Sequence, residues 1–145
     1  MWASIIAVAG TLLGTITAHT IQTRTTDRRQ HQQAGLAAAA ALAGSLMAMR
    51  RLQDERWRLR TTGAPTADYH TAKAAALEAR TLAAQHLFHV RALITDPQAI
   101  ALANELVGVT FNLHDATDKP DLNDRHAHAR HLNDAFAAAI GALIR

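Results

Sequence analysis

The first 23 residues carry no charged side chain, and Arg24, Arg28 and Arg29 follow within six positions. A helix over residues 2–21 would be about 30 Å long at about 1.5 Å per residue, enough to cross the hydrocarbon core of a bilayer. A cleaved secretory signal peptide is a poor match. No Lys or Arg precedes the apolar region, and the Ala-x-Ala sequence that could be a cleavage site lies inside that region instead of after it. A soluble or interfacial helix stays an alternative. The sequence predicts a transmembrane anchor at residues 1–22.

Positive charge near this segment lies only on its C-terminal side. The positive-inside rule therefore places the rest of the chain in the cytoplasm, which predicts a single-pass protein of the cell membrane in contact with lipid. Residues 23–33 are polar and contain no Pro or Gly, so they are either a juxtamembrane linker or a continuation of the first helix.

Small side chains share one face of the predicted anchor. At about 100° per residue the stripe contains a GxxxG pair, and such stripes let membrane helices approach closely. We expect self-association or docking on another membrane helix through this stripe, although GxxxG also arises by chance in segments rich in Gly and Ala. The stripe is formed by Ala3, Ala7, Gly10, Gly14 and Ala18.

Alanine dominates the remaining composition. Apolar residues make up 49% of the chain and aromatic residues only 4%, a balance that favours closely packed helices over a core of large side chains. Apolar periodicity and Gly or Pro punctuation predict four helices joined by short loops, at residues 34–59, 66–95, 96–115 and 122–145. The third of these helices is predicted to end at a loop at residues 117–121 that contains Pro120. The predicted fold is all-α: an N-terminal transmembrane helix followed by an antiparallel four-helix bundle at residues 34–145.

Two of these helices carry distinctive faces. In the helix predicted at 66–95 an apolar stripe runs from Tyr69 to Ile94 and includes Arg80, whose stem we expect to be buried with its guanidinium reaching a carboxylate. The helix that Asp96 and Pro97 begin has a second apolar face, which either neighbouring helices enclose or a partner protein covers. This possible partner surface consists of Leu102, Leu106, Val109 and Leu113.

The chain contains no recognisable catalytic arrangement. It has no Cys, and its nine histidines do not fall in a metal-ligand motif. A pocket that combines His114 with His126 is the remaining acid-base or metal alternative. We therefore predict a protein that is not an enzyme, with no catalytic residue, no cofactor and no metal site.

Arginines cluster near the end of the first bundle helix. Asp54, Glu55 and Trp57 lie among them, and the net charge of the whole chain is only +3, so a solvated, ion-paired face explains the cluster without a nucleic-acid partner. The alternative is a soluble or peripheral bundle that binds nucleic acid or an anionic ligand. The cluster comprises Arg50, Arg51, Arg56, Arg58 and Arg60.

The uncharged N-terminal segment, its arginine-rich exit, the alanine- and arginine-heavy helices and the helix start at Asp96-Pro97 resemble the small single-pass membrane proteins of high-GC actinobacteria. This resemblance implies a membrane-tethered cytoplasmic helical domain and assigns no functional residue. The expected function is a non-enzymatic interaction module, such as a scaffold, regulator or accessory subunit, that associates with itself or with another protein.

Overall fold

The computed structural model describes the backbone of residues 2–143 and the side chains of residues 26–143. Over that range the chain is helical and has no β-strand, so the all-α prediction is confirmed. The helices are α1 (Trp2–Thr61), α2 (Thr66–Leu93), α3 (Pro97–Phe111) and α4 (Lys119–Ala142), with a 3-10 turn at Leu113–Asp115.

The chain divides into two compact units, Met1–Ala34 and Gly35–Arg145. The predicted anchor at residues 1–22, with its stripe of Ala3, Ala7, Gly10, Gly14 and Ala18, lies outside the residues whose side chains are described. Residues 23–33 have helical backbone within α1. Among the described residues, no helix combines the length and apolarity that a membrane span requires.

The breaks on either side of α2 follow from local chemistry. After α1 the chain turns at Gly63, whose φ of 65° is a conformation that glycine adopts readily. At the start of α3, the Asp96 carboxylate accepts a hydrogen bond from the Ala99 backbone N–H at 2.7 Å, and Pro97 occupies the first helical turn. This is the helix start that the sequence predicted.

The start of α4 differs from the prediction. The sequence reading placed residues 117–121 in a loop, whereas α4 begins at Lys119. Asp118 is its N-cap, and its carboxylate accepts from the Asp121 backbone N–H at 2.8 Å. Pro120 lies in the first turn, where its missing N–H costs no hydrogen bond, so this proline starts a helix here.

Residues 35–143 form a bundle in which neighbouring helices run antiparallel. Moving forward along α1 corresponds to moving backward along α4, because Arg50 donates to the Ala129 carbonyl at 3.1 Å and Asp54 contacts His126 at 2.7 Å. The same reversal relates α2 to α3 and α3 to α4. The contacts are Arg80 with Phe111, Arg91 with Asn104, Glu105 with His128, and Arg125 with Asn112.

The core contains many alanines, which allow the helices to lie close together. Among its largest fully buried side chains are Leu42, Leu46 and Met49 of α1, at 0 to 1% exposure. The other helices contribute buried apolar residues at helical spacing. These are Ala83 and Val90 from α2, Ala99, Ala103, Leu106 and Val107 from α3, and Ala129, Leu132, Phe136 and Ile140 from α4.

The prediction for Arg80 is wrong in its partner and its burial. The side chain is exposed, and its guanidinium carbon lies 4.7 Å from the centre of the Phe111 ring. A cation is attracted to the face of an aromatic ring, and this contact places the charge at the α2–α3 boundary instead of beside a carboxylate.

Candidate interaction surface

The second face of α3, predicted as a possible partner surface, is largely enclosed by the chain itself. Leu106 and Leu113 are fully buried. Leu102 and Val109 are partly buried against the main core. Leu113 packs in a second, smaller cluster with Leu122, at the end of the bundle where α3 meets α4. The enclosing helices account for these apolar residues, so the candidate surface lies elsewhere.

The arginine cluster does not form one continuous surface. Arg56 is only 8% exposed and donates to the Gln53 side chain, and Arg50 donates to a carbonyl of α4. Arg60 donates to the Ala116 carbonyl at 2.6 Å. Arg58 pairs with Glu55 on the same helix. Arg51 is exposed. Three of the five predicted residues, Arg50, Arg56 and Arg60, therefore donate hydrogen bonds to other groups of the bundle.

Polar side chains of α1 and α4 bind carbonyls at the end of α3 and in the segment that follows it. The last carbonyls of a helix have no partner within the helix itself. Here Gln53 donates to the Phe111 carbonyl at 3.0 Å, and Trp57 donates at 2.9 Å to the carbonyl of Ala116, which follows the 3-10 turn. Arg125 donates to the Asn112 carbonyl at 3.0 Å. The polar side chains at this end thus cap backbone groups, which is a structural role.

The two histidines considered for a pocket have different partners. His114 Nδ1 donates to the Phe111 carbonyl at 3.0 Å, and its Nε2 lies 3.1 Å from Asp115. Burial and the nearby Arg56 charge lower the His114 pKa, and they outweigh the opposing effect of Asp115. His126 instead contacts Asp54. In the described part of the chain, no group of three or more His, Cys, Asp or Glu side chains is arranged to hold a metal ion.

An open groove of about 530 Å³ lies between α3 and α4. Glu105, Asp124 and Arg125 are its charged lining residues; Glu105 faces His128 at 3.5 Å, and Arg125 pairs with Asp121 at 2.9 Å. That pairing lowers the pKa of Asp121. Arg125 thus holds the Asp121 carboxylate at the edge of this open groove.

The clearest uncovered feature is a second apolar stripe on α2, here named the outer stripe. Its residues are spaced by three or four positions and lie about 130° around the helix from the core stripe, at about 100° per residue. Phe88 is 68% exposed and Leu77 51%. The Thr81 hydroxyl donates to the Leu77 carbonyl, so it adds little polarity. The outer stripe consists of Ala74, Leu77, Thr81, Ala84 and Phe88.

Charges of opposite sign flank the outer stripe. Lys73, Arg80 and Arg91 lie along one side, whereas Glu78 lies along the other. Arg80 and Arg91 reach α3, where they contact Phe111 and Asn104. A narrow apolar stripe between charged flanks is typical of a helix that pairs with another helix.

The sequence reading missed the outer stripe, although its signal is present. Exposed apolar residues are common when they occur singly, and the stripe from Tyr69 to Ile94 already explained how α2 packs. A search for a second period on the same helix would have found the spacing of Leu77, Thr81, Ala84 and Phe88. Their exposure, however, required the bundle to be known.

Comparison with known proteins identifies a family for this chain. No curated protein and no solved structure matches the chain. The model of the KilB plasmid transfer protein family matches residues 36–144, which is most of the chain and nearly the whole helical bundle. The chain belongs to the KilB plasmid transfer protein family.

Proposed function

We propose that this protein is a non-enzymatic, membrane-tethered interaction module that takes part in plasmid transfer. The family description supports the process, because the matched residues 36–144 include α2 to α4 and the part of α1 that forms the bundle. The observation that carries the molecular role is the outer stripe, with Phe88 and Leu77 more than half exposed on a helix whose opposite face is core. Such a surface favours binding a protein.

The tether in this proposal rests on the sequence. Residues 1–22 act as a single membrane anchor, and Arg24, Arg28 and Arg29 hold the following residues on the cytoplasmic side. The resemblance to small single-pass proteins of high-GC actinobacteria supports the same topology. The small-residue stripe from Ala3 to Ala18 offers a second contact, within the bilayer.

Plasmid transfer from donor to recipient tests the molecular role. In a donor whose only KilB-family protein is this chain, Phe88→Glu should greatly reduce the transfer frequency, because a carboxylate in the outer stripe opposes apolar contact. Leu82→Glu is the matched control. Leu82 is 46% exposed on α2 but lies outside the stripe, so this variant should transfer normally. Equal transfer by wild type and Phe88→Glu would contradict the proposed use of this surface.

Alkaline carbonate extraction tests the tether separately. The intact chain should stay with the membrane pellet, because an inserted apolar helix resists extraction, whereas a peripheral protein is released. Replacing Leu12 and Leu13 by Arg should release the protein, since charge at the centre of a span is costly. Release of the unaltered chain would exclude the anchor at residues 1–22.

A further inference from the structure

We propose that the outer stripe binds the outer stripe of a second copy of this chain, with the two α2 helices side by side and parallel. This inference rests on the proposed function, in which the outer stripe is the interaction surface, and it identifies the partner. The resulting dimer has a two-fold axis that runs along α2.

The spacing of the outer stripe matches the contact positions of a two-stranded coiled coil. Ala74, Thr81 and Phe88 recur every seven residues, and Leu77 and Ala84 recur between them. In such pairs the two alternating positions form the seam between the helices. Ala76, Ala83 and Val90 lie about 130° away around α2, at about 100° per residue, and are buried in the bundle. One face of α2 thus packs inside the bundle, and the other is free to pack against a second copy.

Charge complementarity indicates a second copy in parallel orientation. In a parallel pair, the residue just before Ala74, Thr81 or Phe88 faces the residue five positions later on the other helix. Lys73 then faces Glu78 of the second copy, and the two-fold axis repeats the pair. Lys73 and Glu78 are exposed, and neither forms an ion pair with another described side chain. Both are available to pair between copies.

The antiparallel arrangement brings like charges together. It places each flank of the stripe against the same flank of the other helix. With Thr81 at the centre, Arg80 would face Arg80 of the second copy, and Lys73 and Glu78 would no longer face each other. Like charges opposite one another are unfavourable between paired helices, so the charge pattern of α2 favours the parallel orientation.

The proposed tether compensates for the small size of this contact. A stripe of five side chains, two of them alanine, is small compared with the roughly 1,200 Å² that a stable interface buries. Confinement of both copies to one membrane raises their effective concentration, which offsets a modest contact area.

Disulfide cross-linking of the full-length chain in lipid vesicles tests the pairing and its orientation. The chain has no cysteine, so one introduced thiol is unique. Ala74→Cys should form a disulfide-linked dimer on mild oxidation. In an antiparallel pair centred on Thr81, the two introduced thiols would lie about 21 Å apart along the axis, at about 1.5 Å per residue, beyond disulfide reach. Ala137→Cys, at an exposed position on α4, is the matched control and should stay monomeric.

Charge exchange tests the predicted partners. In the Ala74→Cys background, Lys73→Glu should lower the cross-linked fraction several-fold, because the introduced carboxylate of one copy then faces the Glu78 carboxylate of the other. Adding Glu78→Lys should restore cross-linking, because the pair is then reversed in sign. Phe88→Glu should abolish most cross-linking, and Leu82→Glu should leave it unchanged.

The outcomes separate this inference from the proposed function. Cross-linking of Ala137→Cys equal to that of Ala74→Cys, or no effect of Phe88→Glu, would overturn the dimer. If Ala74→Cys stays monomeric while Phe88→Glu still blocks plasmid transfer, the partner is a different protein and the proposed surface stands. If the dimer forms and Phe88→Glu breaks it without changing transfer, the dimer is correct and its proposed role in transfer is wrong.

Discussion

The buried pair of Gln53 and Arg56 offers the most direct test of how polar groups hold the end of the bundle. Gln53 is 2% exposed and Arg56 8%. Gln53 donates to the Phe111 carbonyl of α3 and accepts from Arg56 Nη1, both at 3.0 Å. The pair therefore joins a buried cation on α1 to the C-terminal end of α3.

The expected cost of Gln53→Ala follows from these two bonds. A neutral hydrogen bond contributes about 0.5 to 1.5 kcal/mol, and a bond to a charged group about 1.5 to 3 kcal/mol. The Phe111 carbonyl keeps its bond from His114, so it is not left without a donor. The Arg56 guanidinium does lose a partner, and its Nε already has none. Together these losses predict destabilisation of about 2 to 4.5 kcal/mol.

A double-mutant cycle isolates the Gln53–Arg56 bond. The free energy of unfolding of the full-length chain in mild detergent would be measured by urea titration and circular dichroism, for Gln53→Ala, Arg56→Ala and the double variant. Because either single change removes the same bond, the double variant should cost about 1.5 to 3 kcal/mol less than the sum of the singles. Arg58→Ala, at an exposed arginine on the same helix, should change stability little. If the destabilisation of the double variant equals the sum of the two single variants, the Gln53–Arg56 bond does not contribute to stability and the reasoning is wrong.

Three further predictions concern the core, a helix start and pH. Leu106→Ala should lower the free energy of unfolding by about 2 to 5 kcal/mol in the same urea titration, because Leu106 is fully buried; a cost below about 1 kcal/mol would show that the site collapses or is exposed. Asp96→Ala should cost about 1 kcal/mol by removing the cap on Ala99, whereas Asp96→Asn should retain most of it, and equal losses in both variants would exclude a capping role. Because the folded state lowers the His114 pKa below its ordinary value of about 6.5, folding favours the neutral ring. Stability should therefore fall as pH drops below about 6.5, where the unfolded chain binds the proton first. His114→Gln should reduce this loss in urea titrations at several pH values, and an unchanged pH dependence would contradict the assignment.

Much of the bundle could be predicted from local sequence signals. The break near Gly63 and the start of α3 at Asp96-Pro97 were predicted, because turns and caps depend on residues close together in the chain. The start of α4 was placed too late, although Asp118 and Pro120 form a similar signal there. That error came from reading Pro120 as the end of one helix when it begins the next.

The candidate surface depended on contacts that are distant in sequence. Leu106 and Leu77 both lie on apolar stripes, yet Leu106 is fully buried and Leu77 is 51% exposed. Periodicity gives the direction of a side chain around its own helix, but it does not give the number of neighbouring helices. The exposure of a second stripe therefore could not be read from the chain alone.

The sequence by itself determined the helical class, most helix limits, the core face of each helix and the uncharged N-terminal segment with its arginine flank. These follow from short-range steric, capping and polarity rules. Only the tertiary structure decided that the second face of α3 is enclosed, that Arg50, Arg56 and Arg60 donate into the bundle, and that the outer stripe of α2 is left uncovered. The physical reason is that burial depends on which helices become neighbours, and these contacts join residues as far apart as Arg50 and Ala129.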